Sequence, residues 1–409
     1  MDYEHDGPIR DIAQPGIRAE YGLAKCLREE VASLLERTST GFPGAQPVSF
    51  ARRHLGELQR KDYFVCEKSD GIRYLLYLTT DEKGRECHYL IDRKNDYWHI
   101  PNHHLHFPLP DADVQSFHSH ALIDGELVMD SATPGGGGPT EPKFLVFDLL
   151  MLDSKPDVRT KSLDKRLAYF KDYIMKPYKQ LFQHFPDEAQ YQPFKVEMKE
   201  MQFSYGIEMM FRSVLPNLRH QNDGLIFTCR TTPYQFGTDQ HILKWKAPHD
   251  NTVDFRLRLD FPLVEPSEAE RAEGVTEPFV DYDSVPQARL FVFNGSGGNS
   301  NSNGTGGGQG AQATGKYSEF PDPLYLSEED WETLKGWGDP LQDRVVECAL
   351  DDQGRWRLYR FRDDKKEANH SSTVNSVLES IKDGVSEADL LNSAKSIKDS
   401  WKLRAQAQH

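Results

Sequence analysis

Apolar residues recur along this chain first at helical spacing and then at strand spacing. Residues 20–37 carry Leu23, Cys26, Leu27, Val31 and Leu34 three and four apart, which predicts an amphipathic helix. Residues 38–47 are turn-rich. From Phe64 onward short β-type runs take over, at 64–67, 72–78, 88–91, 121–129 and 144–150. The stretch Pro134-Gly135-Gly136-Gly137-Gly138-Pro139 reads as a flexible hairpin tip between two of them. Helices are expected over 165–175 and 206–214, and strands over 225–228 and 241–246.

After Trp245-Lys246-Ala247-Pro248 the pattern becomes all-β, with runs at 253–264, 290–293, 345–350 and 356–361. The tract 295–315 interrupts it. That tract is almost entirely Gly, Ser, Asn and Gln, cannot bury apolar surface, and is expected to be disordered. Residues 372–403 return to helical spacing through Val374, Val377, Leu378, Ile381, Leu390, Leu391, Ile397 and Trp401. The expected organisation is a flexible N-terminus at 1–18, a first domain over 19–249, a β domain over 250–370 and a helical segment over 371–409. The fold class is α+β.

Length and charge narrow the picture. A chain of 409 residues can build two domains, each with its own core. A net charge of −15 argues against a nucleic-acid coat protein, which needs a basic surface, but allows a local basic cleft. No apolar stretch reaches membrane-spanning length, and residues 1–18 lack the basic-then-apolar order of a signal peptide. The cysteines (Cys26, Cys66, Cys87, Cys229, Cys348) are scattered and odd in number, which points to a reducing compartment rather than a disulfide framework. His103, His104, His106, His118 and His120 cluster locally, but no carboxylate or cysteine spacing completes a zinc site, so they read as loop residues.

The candidate chemistry lies in short islands. Gly310 to Tyr317 almost spells a phosphate-binding loop, but no strand precedes it and no Ser or Thr follows Lys316. Lys68-Ser69-Asp70-Gly71-Ile72-Arg73 places a lysine between an apolar run and a tight turn. Such an amine becomes a nucleophile when burial or neighbouring cations lower its pKa. Strand alternation puts Lys244 and Lys246 on one face, where a phosphate would relieve their repulsion and where they act as the required cations. Arg360 and Arg362 share a face in the same way and suit a pyrophosphate. Glu126 and Asp223 follow apolar runs, where a carboxylate can hold a ribose hydroxyl or a hydrated magnesium. Taken singly, Asp-Gly is a hairpin turn, Lys-x-Lys a solvated face and Phe147 a core residue.

The order of these islands resembles the covalent nucleotidyltransferase superfamily of mRNA capping enzymes and polynucleotide ligases. The resemblance runs from Phe64 to Asn369. Within it, Lys68 to Arg73, Ile91-Asp92-Arg93 and Trp356 to Asn369 are similar to capping enzyme motifs, while Pro15 to Arg18 and Phe42 to Ser49 are similar to the stand-alone fungal type. One departure is Ala368, where the family usually has proline. The resemblance implies a nucleotidyltransferase domain of ATP-grasp-like antiparallel sheets with helices, followed by an OB-fold β-barrel. It implies an mRNA guanylyltransferase. Lys68 would form a lysyl-GMP adduct from GTP and pass it to the 5'-diphosphate end of RNA. Arg73, Arg93, Asp124, Gly125 and Glu126 would line the nucleoside site, Phe147 would stack on guanine and Lys199 would read its O6 edge. Lys244 and Lys246 would neutralise the α-phosphate; Arg360, Arg362, Asp364 and Lys365 would grip the β- and γ-phosphates. Asp223, acting through water, and Glu126 would hold Mg2+ or Mn2+. The implied partners are a separate RNA triphosphatase subunit and the phosphorylated tail of RNA polymerase II, in the nucleus, with no membrane. The competing readings are an ATP-dependent RNA or DNA ligase and a non-catalytic relative that binds RNA or phosphopeptides.

Overall fold

The computed structural model describes residues 16–100, 105–110, 113–295, 316–351 and 353–407. The N-terminal residues 1–15, nearly all of the 295–315 tract, and His103 and His104 lie outside the described residues. The chain forms two units: one reaches to Lys246 and resumes at Glu387, the other is Ala247–Ser386.

Two sheets build the first unit. Among the described residues the larger has seven strands, in the spatial order Ile17–Arg18, Tyr97–His99, Glu86–Ile91, Ile72–Thr80, Ala121–Thr133, Gly137–Met151 and Lys195–Met198. The smaller has five, ordered Gln202–Phe203, Tyr63–Ser69, Asn222–Cys229, Gly237–Trp245 and Ala45–Ser49. Pairing is antiparallel except where Gly137–Met151 meets Lys195–Met198 and Gly237–Trp245 meets Ala45–Ser49.

The run Ile72-Arg73-Tyr74-Leu75-Leu76-Tyr77-Leu78 is nearly all apolar because both faces of its strand are covered. Tyr74, Leu76 and Leu78 join one core with Phe107, Phe170, Ile174 and Tyr178. Leu75 and Tyr77 join a second core with Leu27, Val31 and Leu35, supplied by the helix Tyr21–Leu34 and its end. The helix expected over 165–175 is longer than its periodicity suggests. It runs as Leu163–Tyr169, passes through a π turn at Phe170–Met175, and continues as Lys176–His184. Pro177 lies where the π turn passes into that last piece, and the Tyr173 carbonyl of the preceding turn is satisfied by His118 Nε2 at 2.8 Å instead of by a backbone N–H.

The helical tail divides. Ser371–Lys382 packs Val374 into the core of the second unit. Glu387–Gln406 packs in the first unit, where Arg404 pairs with Asp62 at 2.7 Å and Trp401 meets Phe203 and Tyr205.

The second unit holds a five-stranded sheet among the described residues, ordered Tyr317–Glu319, Gln287–Phe293, Thr252–Asp260, Val345–Leu350 and Trp356–Phe361. It does not close into the expected barrel. Among the described residues, only single bridges at Leu324, to Ala288 and to Trp356, link the two sides. Pro321 and Pro323 precede Leu324 and lack the N–H groups that a continuous ladder needs.

Candidate active site

Lys68 lies near the end of the Tyr63–Ser69 strand, and Asp70-Gly71 carries the chain from the smaller sheet into the larger one. The dipeptide is therefore a crossing between sheets and not a hairpin turn. Gly71 is required there, since an added Cβ would overlap the Leu127 carbonyl.

Opposite Lys68 the Asn222–Cys229 strand bulges. Asn222 pairs with Ser69 and Leu225 with Glu67, so three steps on one strand face two on the other. Gly224 occupies the bulge at φ +138°, where a Cβ would strike the Trp245 carbonyl. The bulge turns Asp223 toward the lysine, and Asp223 Oδ1 sits 2.5 Å from Lys68 Nζ. The other oxygen of Asp223 pairs with Lys246.

Lys244 has no carboxylate within ion-pair distance among the described residues. Partial burial, then the charges of Lys68, Lys246 and Arg93, hold it below the ordinary lysine value, against a weaker pull from Asp223. Arg93, in the turn after Glu86–Ile91, is also held below its ordinary value, by burial and then by Arg73. Lys68, Asp223, Lys244, Lys246 and Arg93 thus form a cluster with surplus positive charge.

A second group lies along the same strand. Lys199 is 4% exposed. It donates to Ser69 Oγ at 2.6 Å and lies 3.5 Å from Glu67 Oε1 and 3.7 Å from Glu126 Oε2. Ser69 also bonds Glu126. Burial opposes the Lys199 charge, but Cys66, Glu67 and Glu126 outweigh it and raise its pKa. Burial pushes the neighbouring Cys66 thiol up to about 12. Behind Glu67 stands His220, whose Nδ1 is 2.8 Å from Asp130.

Arg73 faces Glu126 in the strand register but reaches diagonally to Asp124. Its Nε and Nη2 donate to the two Asp124 oxygens at 2.9 and 2.6 Å, and its Nη1 donates to the Ala45 carbonyl. Most of its donors are therefore committed within the protein. Gly125 allows Phe144 to pack close, since a Cβ would sit 2.5 Å from that ring. Asp124 faces Asp148 while Gly125 faces Val146, which leaves Phe147 as the extra residue of a second bulge. The bulge aims Phe147 out of the core, half-buried, 5.5 Å from the Arg73 guanidinium.

In the second unit Arg360 donates to Glu347 at 2.6 Å. Arg362 is buried and bonds Asp254, Glu347 and Asp364 at 3.0 to 3.1 Å. Lys365 pairs with Asp254. All four residues singled out from the sequence there belong to one acid–base network.

Sequence reasoning missed Tyr234, Glu67, His220 and the Asp148–Arg166 pair. Asp148 stands beside Phe147 in the sequence, but nothing local identifies its partner.

No group of three or more His, Cys, Asp or Glu residues suited to a metal is present among the described residues. His106 instead pairs with Glu86, and His118 with Asp153 at 2.9 Å. Magnesium needs only one or two carboxylates when substrate phosphates complete its shell. The half-buried Asp223 carboxylate beside Lys68 fits that demand.

A strand-borne lysine that shares one carboxylate with a second lysine, with further cations beside it, is an arrangement suited to nucleotidyl transfer. Residues 10–248 match the family described as mRNA capping enzyme, catalytic domain, and residues 250–391 match its C-terminal domain. The mRNA-capping enzyme subunit alpha of Neurospora crassa is 64% identical over 403 residues, covering 98% of this chain and 96% of that protein. Its counterpart in Schizosaccharomyces pombe is 41% identical, over 96% and 90%. A mycobacterial DNA ligase D complexed with ATP and MES aligns with 79% of this chain and 95% of its own, at 17% identity and a TM-score of 0.33, too slight a likeness to add to the assignment. The chain belongs to the mRNA capping enzyme family.

Proposed function

We propose that this chain is an mRNA guanylyltransferase whose covalent intermediate forms on Lys68. The observation that carries the reading is Asp223 shared between Lys68 and Lys246, beside Lys244, which has no carboxylate within ion-pair distance among the described residues. Asp223 fixes the direction of the Lys68 amine. The surplus charge of Lys244 and Arg93 is complementary to an α-phosphate.

In the first step the neutral Lys68 Nζ attacks the α-phosphorus of GTP. A P–N bond forms, the bond to the β-phosphate oxygen breaks, pyrophosphate leaves, and the nitrogen gives up one proton to solvent. In the second, a terminal oxygen of a 5'-diphosphate RNA attacks the same phosphorus. The P–N bond breaks, the cap linkage forms, and Lys68 recovers its proton. Splitting one transfer into two in this way leaves the protein the tasks of positioning and charge neutralisation. Asp223 would hold a divalent metal through water, and that metal, when bound, neutralises phosphate charge. The reading gives Glu126 the ribose, Phe147 the base, and Arg360, Arg362, Asp364 and Lys365 of the second unit the departing phosphates.

Guanine is favoured over adenine by Lys199. A buried ammonium donates to the guanine O6 acceptor and repels the adenine amino group at the same position. That preference separates this reading from a ligase using ATP. The names of the relatives imply an RNA substrate and a second subunit. We assign that subunit the role of RNA triphosphatase, and place the enzyme on the phosphorylated polymerase II tail in the nucleus. No helix among the described residues is long and apolar enough to cross a membrane.

The test is incubation with magnesium and GTP or ATP labelled on the α-phosphate. An acid-labile adduct with GTP, lost in Lys68→Ala, is expected. Labelling by ATP alone would overturn the assignment.

A further inference from the structure

Four segments of the first unit meet around Arg73. Arg73 and Asp124 come from adjacent strands of the larger sheet, and Ala45 opens a strand of the smaller one. Tyr234 lies on the loop between Asn222–Cys229 and Gly237–Trp245. The Tyr234 hydroxyl donates to Asp124 Oδ2 at 2.5 Å and accepts the Ala45 N–H at 2.8 Å. Arg73 completes the ring through both Asp124 oxygens and the Ala45 carbonyl. Asp124 is fully buried and Tyr234 is 7% exposed, so water does not compete for these bonds.

The ring is held on two further sides. The guanidinium of Arg73 lies 5.9 Å from the Phe42 ring and 5.5 Å from the Phe147 ring. The loop bearing Tyr234 is pinned from behind. Tyr234 N donates to the Arg159 carbonyl at 2.8 Å, and Arg166 Nη1 donates to the Thr232 carbonyl at 2.8 Å.

We propose that Tyr234 is a positioning residue for the nucleoside of the donor nucleotide. Its hydroxyl ties the two sheets together at Asp124 and Ala45, fixes Arg73, and through Arg73 sets the ring of Phe147. The proposal rests on the guanylyltransferase reading and names a residue that the reading does not require. Without the hydroxyl, the buried Ala45 N–H loses its acceptor and Asp124 keeps only Arg73. The guanidinium then gains freedom, and Phe147, which leans on it, loses its fixed seat. Tyr234 makes no bond to Lys68, Asp223, Lys244 or Lys246, so the chemistry at phosphorus is spared.

The test is Tyr234→Phe in the full chain, which keeps the ring and removes one oxygen. The readout is the rate of adduct formation against GTP concentration, with the melting temperature measured alongside. The KM for GTP is expected to rise roughly tenfold, the worth of one buried bond to a charged group. The kcat should stay within about twofold. Phe42→Leu strips a ring from the other face of Arg73 and is expected to raise KM in the same direction. The double variant should lose no more than the worse single one, since both act through one guanidinium. An unchanged KM, or a fall in kcat alone, would overturn the proposal even if the melting temperature dropped. Should Tyr234→Phe not fold, an unchanged KM in Phe42→Leu would overturn it. Absence of any GTP adduct on the unaltered enzyme would instead overturn the reading beneath it.

Discussion

Asp223 lies against Lys68 because its strand carries one residue too many. In a regular ladder the positions flanking Leu225 would alternate in step with Glu67 and Ser69. The extra residue at Asp223-Gly224 breaks that step and brings a carboxylate to 2.5 Å from the amine. Gly224→Ala is the sharpest test of this relationship. Its positive φ and the Trp245 carbonyl both exclude a Cβ. A stability loss of about 2 kcal/mol is expected from the backbone alone. Adduct formation should fall by about a hundredfold, since misplacing a reacting group by an ångström costs that much. Denaturant melts and labelled GTP measure the two effects; a folded variant that retains full adduct formation would exclude the bulge as the source of the geometry.

Lys199 makes a prediction about the base. Lys199→Met leaves an apolar chain of similar length and removes the donor. Discrimination between GTP and ATP in adduct formation should fall by roughly tenfold to a hundredfold, the worth of one buried hydrogen bond to a charged group. The measurement is the ratio of kcat/KM for the two nucleotides. A ratio that stays constant while both values drop would assign Lys199 a purely structural role.

Asp124 and Asp148 stand opposite each other across an antiparallel pair, where like charges repel. Each is met by its own arginine: Arg73 on Asp124, and Arg166 on Asp148 at 2.6 and 2.8 Å. Burial, then the nearby Asp124, raise the Asp148 pKa against the pull of Arg166. Arg166→Met should therefore destabilise the protein by about 3–5 kcal/mol, the cost of a buried charge left alone. Adding Asp148→Asn should recover a large part of that loss. Denaturation of the single and double variants decides it, and strictly additive losses would refute the pairing.

Acidity acts at the start of the Glu86–Ile91 strand of the larger sheet. Glu86 is held down to about 2; burial opposes this, but the hydrogen bonds from His106 and His88 prevail. His106 is raised above its ordinary value, since Glu86 outweighs burial there. A depressed carboxylate contributes stability above its unfolded pKa and loses it as pH falls toward about 2. A raised histidine contributes stability below its unfolded pKa and loses it as pH climbs through its folded value. The melting temperature should thus decline on both sides of a mildly acidic maximum. In His106→Gln the decline from pH about 6.5 upward should flatten. An alkaline slope unchanged in that variant would assign it to other groups.

Element types and the chemical inventory follow from local patterns in the chain. Alternation and helical spacing act over a few residues, so the helix at Tyr21–Leu34 and the strands at Ile72–Thr80 and Ala121–Thr133 are legible locally. The two-sided burial of Ile72–Thr80 is written in its lack of polar alternation, and the candidate lysines, arginines and carboxylates stand out by type and order. The tertiary structure alone decided which strands pair and in what register. Asp70-Gly71 passes between sheets because the partners of the Tyr63–Ser69 strand lie far along the chain, at Asn222–Cys229. Phe147 faces outward and Asp223 meets Lys68 because of bulges, which exist only relative to a partner strand. Tyr234 joins Asp124 and Ala45 across separations of 110 and 189 residues, and no local pattern encodes a contact that chain closure brings together.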